Sequence, residues 1–83
     1  MRYVVFIEYT DMAARERALA AHREHLAQGR KDGILTDSGP FKDMRGGMYV
    51  LECADDAAAA KFVAADPYKA AGLRLELRCW PKM

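Results

Sequence analysis

Four segments of the chain carry the hydrophobic pattern of β-strands. Residues 2–10 are dense in aromatic and β-branched side chains, and both alternating faces of this segment are largely apolar. Residues 73–80 alternate strictly, with leucine or cysteine on one face and charged side chains and Trp80 on the other. Two shorter apolar segments, 34–36 and 48–53, lie between these two. A strand that is apolar on both faces must be covered on both, so the first strand is predicted to lie inside a sheet.

Two segments are typical of α-helices. Residues 12–31 are rich in Ala, Leu, Arg, Glu and Gln, which favour helices, and Thr10 and Asp11 before them offer an N-cap. Residues 57–65 are rich in alanine and follow Asp55 and Asp56, which suit a helix N-terminus. Pro67 either ends this second helix or begins a new turn, because the residue before a proline avoids the helical region.

Glycine and proline predict where the remaining connections lie. Ser38-Gly39-Pro40 is expected to end the second strand, residues 41–45 form a polar loop, and Gly46-Gly47 is expected to be a turn. Gly72 closes the turn that follows Pro67.

The resulting order, β-α-β-β-α-β, predicts an α+β fold of the ferredoxin-like type in a single domain over residues 1–83. Its two helices cover one face of a four-stranded sheet. The other face also carries apolar side chains, and a chain of this size has a thin core of its own. A homodimer with the two sheets face to face is the simplest way to cover that face.

Composition excludes several classes of partner. The net charge is +1 and the basic residues are interleaved with acids, so no nucleic-acid surface is predicted. No run approaches the roughly 20 apolar residues that span a bilayer, and the first residues form a strand rather than a signal peptide. Cys53 and Cys79 are far apart and are expected to be reduced, which favours the cytoplasm. No nucleotide-binding, serine-hydrolase or zinc-protease motif is present, and no cofactor is expected.

His22 and His25 are the only histidines, and they lie three residues apart on the first helix. A metal site would need further ligands, for which only Asp66 and the cysteines are candidates, so no metal is predicted. His25 lies at the border of the apolar stripe formed by Leu19, His22 and Leu26, where the helix meets the rim of the sheet. It is a candidate general acid or base, or simply a side chain that satisfies a local hydrogen bond.

Asp66 lies in the stretch AADPYKAAG, and two interpretations of it stay open. An aspartate before a proline accepts hydrogen bonds from nearby backbone N–H groups and sets a turn. A carboxylate held in that way is also a rigid group that can orient an imidazole. Ser38 is similarly open, since its hydroxyl either satisfies its loop or donates a hydrogen bond to a ligand.

Several motifs in this order resemble the YCII-related family over nearly the whole chain. The most specific part is Asp-Pro-Tyr followed by Ala-Gly-Leu. The motifs are His25-Leu26, Asp32-Gly33-Ile34-Leu35, Ser38-Gly39-Pro40, Asp66-Pro67-Tyr68, Ala71-Gly72-Leu73 and Trp80-Pro81. The family often has an arginine three positions before its histidine, whereas this chain has His22 there.

The resemblance implies a dimeric α+β barrel of ferredoxin-like subunits, similar in fold to muconolactone isomerases and small monooxygenase-like domains. It also implies an active-site His–Asp pair in a pocket beside the sheet. By motif position these residues are His25 and Asp66, with Ser38 at the border of the pocket. One branch of the family resembles a dehydrochlorinase that acts on a chlorinated hydroxyquinol.

The function predicted from the sequence is therefore that of a lyase or isomerase without a cofactor. Asp66 orients His25, which transfers a proton on a small cyclic or aromatic metabolite. The residues expected to contact this ligand are Tyr3, Phe6, His22, Tyr49 and Tyr68. The alternative is a non-catalytic small-ligand-binding or accessory module, in which the His–Asp pair is structural.

Overall fold

The chain folds into four strands and three helices, and a computed structural model describes all residues, 1–83. In chain order the elements are β1 (Arg2–Glu8), α1 (Met12–Lys31), β2 (Leu35–Pro40), β3 (Gly46–Glu52), α2 (Asp56–Ala64), α3 (Pro67–Ala70) and β4 (Arg74–Cys79). The strands form one antiparallel sheet in the order β2-β3-β1-β4. The predicted α+β, ferredoxin-like fold is confirmed, and the turn expected after Pro67 is the short helix α3.

Aspartates begin all three helices. The side chain of Asp11 accepts a hydrogen bond from the Ala14 N–H, and that of Asp55 accepts one from the Ala58 N–H. Asp66 is the N-cap of α3, and its side chain accepts from the Tyr68 N–H, with Pro67 in the first turn where a missing N–H is tolerated. The carboxylates satisfy backbone donors that a helix leaves unpaired at its N-terminus.

The core lies between the helices and one face of the sheet. Inward-facing side chains of the two central strands pack against the helices, and the largest that are fully buried are tyrosines. The core residues are Tyr3, Val5, Ile7, Ala14, Leu26, Leu35, Tyr49, Leu51, Ala59, Phe62, Val63, Tyr68 and Leu73.

Two predicted turns are wrong, because the residues concerned belong to strands. β2 does not end at Ser38 but continues to Pro40, which pairs with Gly47. Proline is tolerated there because β2 is an edge strand. Gly46 pairs with Glu8 in β3, and a Cβ atom on it would overlap the Ile7 carbonyl oxygen. That glycine therefore serves a close approach of two strands rather than a turn.

A β-bulge in β2 decides which of its side chains face the helices. Leu35 pairs with Leu51, whereas Asp37 pairs with Val50, so the register shifts by one residue between them. Ser38 consequently pairs with Tyr49 and lies on the same face of the sheet as that tyrosine. Without the bulge, strict alternation would turn Ser38 to the opposite face.

The face of the sheet opposite the helices carries exposed apolar side chains. Val4 pairs with Val50 and Phe6 with Met48 on this face. Phe6 is 39% exposed and Trp80, just after β4, is 50% exposed. The guanidinium of Arg2 stacks on the Trp80 ring at 4.0 Å from its centroid.

Neither α1 nor the shorter helices have the length and apolar character required to cross a bilayer.

Candidate functional site

A cavity of about 240 Å³ lies between α1, the strands β1, β2 and β3, and α3. The helix α1 contributes Arg15, Leu19, His22, Arg23 and Leu26 to its wall. The remaining lining residues are Ile7, Tyr9, Ser38, Gly39, Pro40, Met48, Tyr49 and Tyr68. Sites for drug-sized ligands usually exceed about 300 Å³, so this cavity suits a smaller molecule such as one with a single ring.

A buried, hydrogen-bonded histidine–aspartate pair lies at one wall of this cavity. The Nδ1 atom of His22 lies 2.8 Å from Oδ1 of Asp66, and the two residues are 6% and 1% exposed. Asp66 also accepts a hydrogen bond from the Tyr68 N–H at 2.9 Å and, through Oδ2, from the Tyr49 hydroxyl at 3.0 Å. Because a carboxylate only accepts hydrogen bonds, His22 is the donor through Nδ1.

The ring of His22 is held in place on its face as well as at Nδ1. Tyr68 stacks on it with 3.7 Å between centroids and only 6° between the planes. The second ring nitrogen, Nε2, makes no hydrogen bond within the chain, and His22 lines the cavity. An imidazole fixed at Nδ1 by a carboxylate and free at Nε2 can accept and return a proton.

Burial keeps the tyrosines around this pair protonated. It raises the pKa of Tyr49, and the neighbouring Asp66 carboxylate raises it further. The Tyr49 hydroxyl therefore remains a donor to Asp66 across the physiological pH range. Burial also raises the pKa of Tyr68, although the guanidinium of Arg15 opposes that effect.

His25 does not reach Asp66, which corrects the pairing predicted from the sequence. Its Nε2 atom donates to the Phe62 carbonyl at 2.8 Å, and its ring packs on the Phe62 ring. Three residues turn an α-helix by about 300°, so His25 points about 60° away from His22, towards α2 rather than towards the cavity. The sequence did carry the relevant signal, since His22 stands between Leu19 and Leu26 in the buried stripe of α1.

Of the other residues singled out in the sequence, Ser38, His22, Tyr49 and Tyr68 line the cavity. The hydroxyl of Ser38 accepts a hydrogen bond from Nη2 of Arg30 at 3.2 Å. Asp66 does not line the cavity itself but is hydrogen-bonded to His22, which does.

Tyr3 and Phe6 do not line this cavity, which corrects their predicted place in the ligand site. The Tyr3 hydroxyl donates to Asp56 at 2.6 Å, and that hydrogen bond is the main reason why its pKa is raised. Phe6 alternates with Val5 and Ile7, and therefore lies on the opposite face of the sheet.

The sequence reasoning missed Arg15, Arg23 and Tyr9 as wall residues of the cavity. Basic residues interleaved with acids, as on α1, are typical of a solvent-exposed helix face and do not by themselves indicate a cavity wall. Arg15 lies four residues before Leu19 and seven before His22, and this spacing places it on the inward stripe of the helix. This spacing was the one feature of the sequence that could have identified Arg15 as a wall residue.

No group of three or more His, Cys, Asp or Glu side chains lies close enough together to hold a metal ion.

The sequence was compared with models of known protein families. The family model described as the YCII-related domain matches residues 1–81. The chain belongs to the YCII-related family. A search among curated proteins gave no match.

Two solved structures share the fold of this YCII-related chain. One is 5-chloro-2-hydroxyhydroquinone dehydrochlorinase from Burkholderia phenoliruptrix, in complex with 2,5-dihydroxybenzoquinone, at a TM-score of 0.82 and 22% identity over 98% of this chain and 94% of the other. The other is an antibiotic biosynthesis monooxygenase, at a TM-score of 0.58 and 17% identity over 99% of this chain and 100% of the other. At these identities the likeness concerns the fold.

Proposed function

We propose that the chain is an enzyme of the lyase or isomerase type that transfers a proton on a small cyclic or aromatic metabolite, with His22 and Asp66 as its catalytic pair. The observation that carries this proposal is the buried His22–Asp66 hydrogen bond of 2.8 Å at the wall of a cavity. The two nitrogens of the His22 ring then have different roles, because Nδ1 is hydrogen-bonded to the Asp66 carboxylate and Nε2 is free to contact a ligand.

The proton transfer follows from this arrangement. Neutral His22 carries its proton on Nδ1, so the lone pair of Nε2 removes a proton from the substrate, and Asp66 stabilises the imidazolium that forms. In an isomerisation the same proton returns to another atom of the substrate. In an elimination the electron pair of the broken bond expels a leaving group as an anion, and the proton passes to solvent. A base positioned in this way contributes about 10² to 10⁴ in rate.

The size of the cavity and one similar structure support a single-ring substrate. The cavity of about 240 Å³ has room for one substituted ring. The similar dehydrochlorinase has a hydroquinone as its named substrate and a benzoquinone as its bound ligand. Tyr49 and Tyr68 add aromatic walls, and Ser38 adds a hydroxyl at the border.

A second copy of the chain is proposed to cover the open face of the sheet. That face exposes Phe6 and Trp80 beside Val4 and Cys79 in a shallow apolar groove. Burying such side chains is favourable by about 25 cal/mol for each Å² of apolar surface, which a small chain with a thin core gains by pairing.

The test compares His22→Gln with His25→Gln, two equal substitutions on one helix. A panel of hydroxylated and chlorinated single-ring aromatics is incubated with each protein in deuterated water, and deuterium incorporation and chloride release are followed. We expect the wild type and His25→Gln to act alike and His22→Gln to lose about 10² to 10⁴ in rate. Equal rates for His22→Gln and wild type would contradict the proposal.

The alternative is a binding module in which the pair is structural. It is favoured by the two further hydrogen bonds of Asp66, to the Tyr68 N–H and the Tyr49 hydroxyl, since these give the carboxylate a structural task without any chemistry. Saturable binding of a panel member at His22, with no proton exchange and no chloride release from any of them, would support this alternative.

A further inference from the structure

We propose that the cavity selects ligands with an anionic oxygen, a carboxylate or an ionised phenol or enol, and that Arg15 is the residue that binds it. This proposal rests on the proposed function only in taking the cavity as the ligand site. It adds the charge of the ligand and the residue that recognises this charge.

The first observation is an unsatisfied donor. The Nε atom of Arg15 is buried and has no hydrogen-bond partner within the chain, and it is the one buried side-chain nitrogen or oxygen of which this is true. Leaving a buried charged donor unpaired is costly, so native proteins normally provide a partner for such a group. Arg15 lines the cavity, and a ligand oxygen placed there would supply the acceptor.

The second observation is the charge around the cavity. Arg15 and Arg23 both line it, and no aspartate or glutamate does. Neither arginine takes part in any of the salt bridges of the chain. Asp66, the one buried carboxylate, does not line the cavity and is hydrogen-bonded to Nδ1 of His22. The cavity therefore has two guanidinium groups whose charge no side chain of the protein neutralises.

The third observation is that Arg15 is held at the wall. Its guanidinium carbon lies 4.8 Å from the centroid of the Tyr9 ring, and this cation–π contact holds the group beside the ring. Tyr9 in turn packs edge-on against Tyr68, which stacks on His22. One connected set of rings thus sets the position of the guanidinium relative to the imidazole. Arg15 lies two helical turns before His22, so a ring bound between them would present its anionic substituent to one and its reacting atom to the other.

This arrangement also suits the proposed proton transfer. When Nε2 of His22 removes a proton from a ring, negative charge develops on the oxygens conjugated with that position. A fixed guanidinium in a partly closed site stabilises such charge, because it is already oriented and little water competes with it. Lysine would supply the charge without the planar pair of donors that matches two oxygens.

The experiment measures binding of two matched probes by NMR and calorimetry. The anionic probe is 2,5-dihydroxybenzoquinone, the ligand of the similar structure, and the neutral probe is its dimethyl ether. The proteins are wild type, Arg15→Gln, Arg15→Lys and, as the matched control, Arg17→Gln. Arg17 is an exposed arginine on the same helix that does not line the cavity.

We expect the wild type and Arg17→Gln to bind the anion and to prefer it to the ether. Arg15→Gln should weaken anion binding by about 10- to 100-fold, the usual loss for a charge-assisted hydrogen bond, and leave binding of the ether unchanged. Arg15→Lys should lie between the two. The Arg15 Nε–H resonance of the wild type should shift on addition of the anion alone.

Several results would overturn the inference. The first is that Arg15→Gln and Arg17→Gln bind the anion with equal affinity. The second is that Arg15→Gln loses affinity for the anion and for the ether to the same extent. The third is that the Arg15 Nε–H resonance does not shift with the anion at millimolar concentration. The last measurement needs no variant and so does not depend on the folding of Arg15→Gln. Failure of the proposed function is a separate result, since it appears as unchanged proton transfer in His22→Gln whichever way the anion binds.

Discussion

At the scale of single residues, Asp66 joins the fold to the site. Its carboxylate caps α3 through the Tyr68 N–H and accepts from both His22 and the Tyr49 hydroxyl. The two interpretations left open by the sequence, turn cap and orienting group, are therefore compatible, because one oxygen atom serves the cap and the histidine together. The sequence could indicate the cap from Asp-Pro, but not which histidine this carboxylate would meet.

The Tyr49 hydroxyl should make stability sensitive to high pH. Its pKa is raised in the folded chain by burial and by Asp66 above the ordinary value of about 10, so folding favours the protonated form. This contribution is complete below about pH 10 and is lost as the pH rises from there towards the pKa of the folded state.

We therefore expect the free energy of unfolding to fall between about pH 9.5 and 11.5, and to fall less steeply in Tyr49→Phe. Urea unfolding across that range measures the two slopes. Parallel slopes would show that Tyr49 does not change its pKa on folding.

At the scale of elements, the long periodic segments were predicted well and the short irregular ones were not. The bounds expected for α1, residues 12–31, match the structure, because twenty residues of strong helix formers leave little choice. β2 was cut short at Ser38, since proline and glycine are usually turn residues. On an edge strand with a bulge they are tolerated, and this depends on neighbours that the local sequence does not reveal.

The predicted pairing of His25 with Asp66 was wrong for a related reason. The resemblance by motif selected His25, while the inward face of α1 is set by packing of the whole helix against the sheet. Side chains three residues apart on a helix point about 60° away from each other. His22 therefore lines the cavity, whereas His25 donates a hydrogen bond to the Phe62 carbonyl.

Gly46 and Gly39 provide a matched test of the sheet. A Cβ atom on Gly46 would overlap the Ile7 carbonyl oxygen, whereas one on Gly39 would meet nothing within 4 Å. We expect Gly46→Ala to lower the free energy of unfolding by more than about 2 kcal/mol, and Gly39→Ala to change it by less than about 0.5 kcal/mol. Urea unfolding of the wild type and both variants measures these changes in the free energy of unfolding. Similar values for the two would mean that β1 and β3 do not approach each other as described.

At the scale of the whole molecule, the sequence predicted the layers but not the cavity. The two-layer arrangement follows from hydrophobic patterns, which are local. The cavity joins residues as distant in sequence as Ile7 and Tyr68, and its positive charge depends on which arginines of α1 turn inward. Only the packed molecule brings these together.

The open face of the sheet should bring two copies together. Phe6 on that face and Phe41 in the loop after β2 are both 39% exposed, so they form a matched pair. We expect sedimentation to give a dimer for the wild type and for Phe41→Glu, and a monomer for Phe6→Glu, because a charge in an apolar interface lacks a partner. A wild type that sediments as a monomer, or a Phe6→Glu dimer of unchanged affinity, would contradict the proposed face-to-face pairing.

The most direct measurement concerns the tautomers of the two histidines. NMR that correlates the carbon-bound ring protons with the imidazole nitrogens is recorded on the wild type and on Asp66→Asn above the pH at which the rings are charged. We expect neutral His22 to carry its proton on Nδ1, facing Asp66, and His25 to carry its proton on Nε2, facing the Phe62 carbonyl. Asp66→Asn should shift the nitrogens of His22 and leave those of His25 in place. If His25 responds to Asp66→Asn and His22 does not, the proposed His22–Asp66 pair is wrong.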